Sequence, residues 1–247
     1  MSVPPAVPSK RAIVVGASSG IGRALALRLA RAGYAVGLAA RRLPLLEELQ
    51  REIGPHALVR RMDVADVASA PAVLEELIAA LEGVDLIVLN AGTGHPNPEL
   101  SWELEDETIA VNVRGFAALA GAAYRYFVRR GAGHLVSISS LAALRGSGAA
   151  PAYNASKAFV STYMDGLRHK LARRRSPVAT TDVQPGYVRT AMAQGAHVFW
   201  AAPPEKAAEQ IWQAIRRRKR RVVVTRRWRP IAWLIRLVPD FVHRRVG

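Results

Sequence analysis

The sequence predicts a single α/β domain built on a doubly wound parallel sheet of about seven strands, with helices on both faces. Short apolar runs alternate with segments in which leucine and alanine recur at helical spacing, and a glycine-rich turn joins the first run to the first such segment. No internal repeat or interdomain linker interrupts the pattern. Because a parallel sheet is covered on both faces, its strands are expected to be continuously apolar, as these runs are.

The first half of the chain supplies four strands and the helices between them. The first run is Ala-Ile-Val-Val, and an alanine- and leucine-rich segment follows the glycine turn. A helix is predicted to begin at Leu43, because proline is tolerated in a first helical turn, where Pro44 lies. The predicted elements are strands 12–15, 34–39, 57–61 and 85–89, and helices 23–31, 43–53, 66–81 and 101–129.

The second half continues the alternation. Its predicted elements are strands 134–139, 178–183 and 221–224, a helix that carries Tyr153 and Lys157, and a helix over 204–217. In open parallel sheets, ligands bind at the carboxyl ends of the strands. Residues that follow predicted strands are therefore expected to meet at one edge, and these are Gly16, Arg41, Asp63, Asn90, Ser140 and Gly186.

Composition limits the classes of protein that fit. Half of the 247 residues are apolar, enough for a large core, and the absence of cysteine excludes disulfides and thiolate metal sites. We divide the chain into a proline-rich disordered lead (1–10), a main domain (11–225) and a basic amphipathic C-terminal extension (226–247). The lead does not have the pattern of a secretory signal, and no apolar stretch is long enough to span a membrane, so we expect a cytoplasmic protein or one peripheral at a membrane.

The formal net charge of +16 is concentrated near the C-terminus. From Arg216 onward, 12 basic residues and one acidic residue give +11 over 32 residues. A basic amphipathic helix of this kind lies on an anionic membrane surface, packs on a cleft of its own domain, or contacts a second subunit. Nucleic acid ranks lower as a partner, because no recognition motif accompanies the charge. The apolar residues at helical spacing are Trp228, Ile231, Leu234, Ile235, Val238 and Phe241.

Tyr153 and Lys157 are four residues apart, which places their side chains on one face of a helix. A free tyrosine ionises near pH ~10 and is a poor acid or base at neutral pH. A nearby ammonium favours the phenolate, so Lys157 is expected to lower the pKa of Tyr153. The pair is therefore a candidate proton-transfer group.

The turn between the first strand and the first helix reads Gly16-Ala17-Ser18-Ser19-Gly20-Ile21-Gly22. Such a turn lets the backbone approach a pyrophosphate closely and directs a helix N-terminus toward it. Three residues separate the first two glycines, so the spacing differs from the common G-x-G-x-x-G fingerprint. The wider turn adds two serine hydroxyls.

Further short motifs accompany these two, and the whole set in chain order is Gly16-x-x-x-Gly20-Ile21-Gly22, Asp63-Val64, Asn90-Ala91-Gly92, Asn112-Val113, Ser140, Tyr153-x-x-x-Lys157 and Pro185-Gly186. In this set the chain resembles the short-chain dehydrogenase/reductase family over nearly its whole length. The resemblance implies an NAD(P)-dependent oxidoreductase on a Rossmann-like sheet, assembled as a homodimer or homotetramer through its long helices. Two family positions differ, with Val15 in place of threonine and Leu89 in place of asparagine, and both concern bracing of the sheet.

The resemblance also implies roles for the matched residues. Tyr153 would protonate the carbonyl oxygen during reduction, Lys157 would hold the nicotinamide ribose, and Ser140 would hydrogen-bond the carbonyl oxygen. Asn112 would fix a water in a proton relay behind Lys157, unless it only caps or kinks its helix. Ser139 competes for the serine role, but the thirteen-residue spacing to Tyr153 favours Ser140. The expected cofactor-binding residues are Gly16, Ser18, Ser19, Gly20, Ile21, Arg41, Arg42, Asp63, Val64, Asn90, Ala91, Gly92, Tyr153, Lys157, Pro185, Gly186, Val188 and Thr190.

The residues after the second strand bear on the choice of cofactor. An NAD enzyme of this plan needs an acidic residue there to bind the adenosine ribose, whereas the chain has Arg41 and Arg42 and no acid before Glu47. Arginine suits a ribose 2′-phosphate, and Ser18 and Ser19 add hydroxyl groups. We therefore expect NADP(H), with NAD the weaker alternative, and carbonyl reduction as the direction. The alternative is that Arg41 and Arg42 are surface residues exposed to solvent and do not bind the cofactor.

The segment after Pro185-Gly186 is expected to set substrate specificity. Apart from Arg145, no charged group is obviously placed to anchor an acidic substrate. We therefore expect an apolar or aromatic aldehyde or ketone, or the corresponding alcohol. The expected apolar lid consists of Met192, Val198, Phe199 and Trp200, and its expected neighbours are Leu141, Leu144 and His95. The alternative is that these apolar residues pack in the core.

Three functions remain open on the sequence alone. The first is an NADPH-dependent carbonyl reductase, and the second is an NADP-dependent alcohol dehydrogenase acting oxidatively on a lipid-, steroid- or sugar-like alcohol. The third is an NADP-binding protein without turnover, docked by its basic tail to membrane or nucleic acid. The complete set of Asn112, Ser140, Tyr153 and Lys157 argues against the third, since a protein that only binds need not keep all four.

Overall fold

The computed structural model describes residues 10–190 and 200–237, except the side chain of Arg236. Within these residues, seven strands form one parallel sheet in the order β3-β2-β1-β4-β5-β6-β7. The first strand lies in the interior of the sheet, third in this order, and the chain winds outward from it in both directions, which confirms the predicted fold class. The strands are β1 (Lys10–Val15), β2 (Tyr34–Ala40), β3 (Ala57–Arg61), β4 (Leu86–Leu89), β5 (His134–Ile138), β6 (Ala179–Pro185) and β7 (Arg221–Val224).

Helices cover both faces of the sheet. A π-helical turn, Ala110–Gly115, and a short 3-10 helix, Leu141–Leu144, complete the regular structure of the described residues. The α-helices of the described residues are α1 (Gly20–Arg31), α2 (Leu43–Ile53), α3 (Ala70–Ala80), α4 (Trp102–Ile109), α5 (Phe116–Arg130), α6 (Pro151–Arg173), α7 (Pro204–Arg216) and α8 (Trp228–Leu237).

Two apolar layers hold these helices against the sheet. On one face α1 and α7 pack side by side, with Leu25 and Ile211 fully buried. On the other face α3, α5 and α6 bury Leu74, Phe127 and Met164. Each such side chain contributes about 1.5–3 kcal/mol when it is removed from water, so the layers fix the sheet that positions the loops at its edge.

The helix predicted over 101–129 is interrupted. Helix α4 ends at Ile109, and the backbone is π-helical through Ala110–Gly115 before α5 begins at Phe116. Asn112 lies in this π-helical turn. Single π turns within helices often occur at functional sites, because they change the direction of the side chains around them.

Two other boundaries differ from prediction. Helix α3 begins at Ala70 rather than at 66, because the Asp66 carboxylate accepts the backbone N–H groups of Ala68 and Ser69 at 3.2 and 3.3 Å and so holds a turn. Strand β1 begins at Lys10, the last residue of the predicted lead. Residues 1–9 of that lead lie outside the described residues.

Helix α8 lies within the predicted C-terminal extension and packs on its own domain. Trp228 and Ala232 form an apolar cluster with Leu141 of the 3-10 helix. Val238 and Phe241 of the predicted apolar stripe lie outside the described residues. In the part of the chain that is described, no helix combines the length and the apolar character needed to cross a membrane.

Candidate active site

A cleft of about 860 Å³ follows the carboxyl ends of the strands. Residues directly after β1, β2, β4 and β6 line it, as expected for the edge where a parallel sheet binds ligands. The predicted site residues that line the cleft are Gly16, Ser18, Ser19, Gly20, Ile21, Arg41, Arg42, Val64, Asn90, Ala91, Gly92, Ser140, Tyr153, Lys157, Pro185, Gly186, Val188 and Thr190.

The glycine turn is packed too closely for side chains. Gly16 has a φ of +85°, and a β-carbon on it would stand 2.5 Å from the backbone nitrogen of Ala91. A β-carbon on Gly22 would overlap the carbonyl oxygen of Gly16, which also accepts a hydrogen bond of 2.8 Å from the Asn90 side chain. Asn90 therefore ties the turn to the end of β4 and leaves the N-terminus of α1 facing the cleft.

The side chain of Arg42 lies against the two serines of this turn. Its Nη2 atom donates hydrogen bonds to the hydroxyl oxygens of Ser18 at 3.0 Å and Ser19 at 2.7 Å. Arg41 lines the cleft beside it and is exposed to solvent. Among the described residues that line the cleft there is no aspartate or glutamate, so the end of β2 presents only positive charge and hydroxyl groups.

The side chains of Ser140 and Ser139 have different hydrogen-bond partners. Ser140 begins the 3-10 helix, where its Oγ accepts the N–H of Ala142 at 3.1 Å, and it is hydrogen-bonded to Tyr153. Ser139 is buried and donates to the carboxylate of Asp182 at 2.6 Å. The geometry therefore places Ser140, as the residue spacing favours, at the phenol of Tyr153.

Tyr153 and Lys157 lie one turn apart on α6. The Nζ atom of Lys157 is 5.6 Å from the ring centre of Tyr153 and donates to the carbonyl oxygen of Ile138 at 3.3 Å. Burial lowers the pKa of Lys157 to about 8, with the Asp182 carboxylate opposing the shift. A buried, weakly held ammonium at this position is available to other oxygen acceptors in the cleft.

Burial raises the pKa of Tyr153; the hydrogen bond with Ser140 opposes this shift and Tyr187 adds to it. The expected lowering of this pKa is therefore wrong for the arrangement observed. A low-dielectric environment disfavours the phenolate, and the sequence spacing to Lys157 contains no information about that burial. The phenol is held in its protonated form at neutral pH.

Two predicted residues do not line the cleft. Asn112 is buried, and its amide exchanges hydrogen bonds with the backbone N–H and C=O of Thr93 at 2.9 and 2.7 Å and donates to Ser156 at 2.9 Å. Its role in a proton relay stays a prediction. The Asp63 carboxylate accepts the N–H of Ala65 at 3.0 Å, while its neighbours Met62 and Val64 line the cleft instead.

The substrate end of the cleft was only partly predicted. Met192, Val198 and Phe199 lie outside the described residues. Trp200 is exposed, and its ring centre is 6.1 Å from that of Trp228. Of the other expected neighbours, Leu141 and His95 line the cleft, and Leu144 packs against the cluster of Leu141 and Trp228.

Sequence reasoning did not place Trp228 or Asp182 at the site. Trp228 lines the cleft, and its ring centre lies 5.5 Å from that of Tyr187. The apolar stripe identified this residue, but a stripe does not say which surface it covers. Asp182 is fully buried behind Ser139 and also accepts from Ser161 at 2.8 Å and Arg221 at 3.3 Å. An acidic residue inside the predicted strand 178–183 was the available signal.

The chain is similar to known proteins along most of its length. Residues 10–198 match the family model described as short chain dehydrogenase. A Myxococcus xanthus protein named an uncharacterized oxidoreductase is 44% identical over 186 residues, or 73% of each chain. A short chain dehydrogenase/reductase from Burkholderia phymatum, solved in complex with NAD, has a TM-score of 0.84 at 23% identity over 92% of this chain and 93% of that one.

A variant of actinorhodin polyketide ketoreductase, solved with NADPH, has a TM-score of 0.75 at 28% identity over 84% of this chain and 90% of that one. The glycine turn, the serine, and the tyrosine–lysine pair meet in one cleft at the same edge of the sheet. The chain therefore belongs to the short-chain dehydrogenase/reductase family and is an oxidoreductase of that family.

Proposed function

We propose that the protein is an NADPH-dependent oxidoreductase that reduces the carbonyl group of an apolar aldehyde or ketone. The observation that carries the cofactor preference is the bridge from Arg42 to Ser18 and Ser19 at the end of β2. No carboxylate among the described residues lines the cleft there to bind a ribose diol. The solved neighbours include one with NADPH and one with NAD, so the proposed preference rests on the residues of this chain.

NADP(H) fits the groups that line the cleft. The closely packed glycine turn and the N-terminus of α1 suit a pyrophosphate, and Arg41 and Arg42 suit a ribose 2′-phosphate. Lys157, held by a single backbone acceptor among the described residues, has protons to donate to ribose hydroxyls. When bound, the reduced nicotinamide supplies a hydride to the carbonyl carbon.

Tyr153 and Ser140 act on the carbonyl oxygen in this proposal. The Ser140 hydroxyl orients the oxygen, and the Tyr153 phenol donates its proton as negative charge develops there. Burial raises the pKa of Tyr153, so the phenol holds the proton that carbonyl reduction consumes. Asn112 supports the site from behind by fixing Thr93 and Ser156.

The partners we propose are a small apolar carbonyl compound, a second copy of the chain and an anionic membrane surface. Leu141, Ile138 and Trp228 supply apolar surface along the cleft, which favours an apolar substrate. On the outer side of α8, Trp233, Leu234 and Leu237 are exposed, and this supports contact with a bilayer. A homodimer or homotetramer through the long helical segments that carry Asn112 and Tyr153 stays a prediction from the family resemblance.

The experiment is oxidation of NADPH and of NADH in the presence of apolar aldehydes, ketones and diketones, with Tyr153→Phe as the comparison. We expect turnover that prefers NADPH and that is lost in the variant while NADPH binding is kept. Turnover that prefers NADH would overturn the cofactor assignment. Tight NADPH binding with no reduction of any carbonyl compound would favour the third hypothesis, an NADP-binding protein that does not catalyse a reaction.

A further inference from the structure

Arg145 lies at the carbonyl end of the cleft, on a rigid segment. It caps the C-terminal end of the 3-10 helix that Ser140 begins. The side chain of Asn154 donates to the carbonyl oxygens of Arg145 at 2.7 Å and Ala142 at 3.1 Å, and Asn154 is the neighbour of Tyr153 on α6. The backbone of Arg145 is therefore fixed relative to the proton-transfer groups, and its side chain lines the same cleft.

The guanidinium of Arg145 is incompletely satisfied. Its Nη1 atom is shielded from solvent and has no hydrogen-bond partner in residues 10–190 and 200–237. By contrast, Arg42 donates to two serines and Lys157 donates to Ile138. A buried N–H of a charged group without an acceptor is costly, so a rotation of the Arg145 side chain that brings this N–H against an anion in the cleft is favourable.

The chain offers few anions of its own for this position. No aspartate or glutamate of the described residues lines the cleft, and Arg145 makes no ion pair with any described residue. Outside those residues the sequence contains one acidic side chain, Asp240. The proposed 2′-phosphate site at Arg41 and Arg42 accounts for the positive charge at the other end of the cleft, but not for Arg145.

The spacing from Ser140 to Arg145 limits the ligand. The four residues of the 3-10 helix, Leu141–Leu144, lie between Ser140 and Arg145 and rise about 8 Å, so an anion at Arg145 and a carbonyl group at Ser140 are separated by several carbon atoms. Leu141 lines the cleft within this interval and suits an apolar connection. The planar guanidinium presents paired donors that match the two oxygens of a carboxylate.

We propose that Arg145 binds a carboxylate on the substrate, so that the substrate class is an apolar aldehyde or ketone with a carboxylate several carbons from its carbonyl group. The inference rests on the proposed function for the reaction, but the binding site itself is independent of turnover. Arg145 is a specificity-determining residue in this view, and the apolar part of the cleft holds the chain between the two ends.

The kinetic test compares n-alkanals with ω-oxoalkanoates of matched length, with NADPH as reductant. We expect kcat/KM to be at least about tenfold higher for the best acid than for its alkanal in the wild type. Arg145→Leu is expected to bring this ratio close to one, and Arg145→Lys to keep part of it. Arg173→Leu, which removes an exposed charge from the far end of α6, is expected to leave the ratio unchanged. A wild-type ratio near one, with alkanals reduced normally, overturns the inference and leaves the proposed function intact.

A binding test separates the two proposals. Isothermal titration with 4-methylbenzoate and 4-methylbenzamide, on the protein with and without NADPH, is expected to show at least about tenfold tighter binding of the carboxylate, lost in Arg145→Leu. Equal affinity for both probes overturns the inference whether or not the protein turns over. Preference for the carboxylate without any carbonyl reduction refutes the proposed function alone. Asp240→Asn is expected to change nothing; a gain in carboxylate affinity would show that Asp240 already occupies Arg145 and would overturn the inference.

Discussion

Gly186 lies against the indole ring of Trp228, so closely that a β-carbon on Gly186 would stand 2.5 Å from the ring. This contact joins the glycine after β6 to the first residue of α8. Trp228 is only 5% exposed and packs with Leu141 and Ala232. The C-terminal helix is therefore part of the wall of the cleft.

We expect Gly186→Ala to displace Trp228. The change should lower the free energy of unfolding by about 1–3 kcal/mol, as overpacking does, and raise KM for the carbonyl substrate. Urea denaturation and steady-state kinetics measure the two effects. Gly148→Ala is the matched control, because nothing lies within 4 Å of a β-carbon there. A Gly186→Ala protein with unchanged stability and KM would show that the indole is not held against the glycine.

The bridge from Arg42 to Ser18 and Ser19 predicts a selective loss of NADPH affinity. Removing a charged donor from a phosphate costs about 1.5–3 kcal/mol, so Arg42→Ala should weaken NADPH binding roughly tenfold or more and NADH binding little. Arg41→Asp should shift the preference further, because it also repels the phosphate. Fluorescence titration with both nucleotides measures this, with Arg51→Ala on the exposed side of α2 as the control. Equal losses of affinity for NADPH and NADH would show that these arginines do not distinguish the 2′-phosphate.

Lys157 predicts a pH dependence of stability. Its pKa falls from 10.5 to about 8 on burial, so between these values the unfolded chain holds more protons at this site than the native protein. The free energy of unfolding therefore rises with pH in this window, by up to roughly 1.4 kcal/mol per unit. We expect wild-type stability, relative to Lys157→Met, to increase from about pH 8 to about pH 10 in urea denaturation. A difference that does not vary with pH would contradict the desolvated ammonium.

The outer side of α8 predicts membrane contact. We expect Trp233→Glu combined with Leu237→Glu to abolish sedimentation with vesicles of anionic phospholipid, because both residues are exposed and neither lines the cleft. Trp102→Glu is the matched control, since Trp102 on α4 is 66% exposed, as is Trp233. Deleting 226–247 is a poorer test, because it also removes Trp228 from the cleft. Wild-type protein that stays in the supernatant would refute the contact.

The fold and most cleft-lining residues could be predicted because they depend on local pattern. Apolar runs, the glycine turn and the residues after each strand identify the sheet edge without any tertiary information. The ionisation of Tyr153 could not be predicted, because its pKa depends on burial by distant segments. The surface on which Trp228 packs could not be predicted either, because an apolar stripe indicates that a helix packs on something but not on which surface. The interruption at Asn112 is also tertiary, because side-chain bonds to Thr93 and Ser156 hold it.

The interior position of β1 in the sheet has a consequence for how the chain folds. Ala12 pairs with Val36 on one side, but its partner on the other side is Leu86, so that edge stays open until β4 has been synthesised. Parallel strands that are far apart in sequence pair slowly, because the entropy of loop closure is lost before the contacts between the strands stabilise the structure. An open apolar strand edge is meanwhile a site of wrong pairing between chains. The yield of native protein is therefore expected to depend on the conditions during synthesis, such as temperature and chaperones, as well as on final stability.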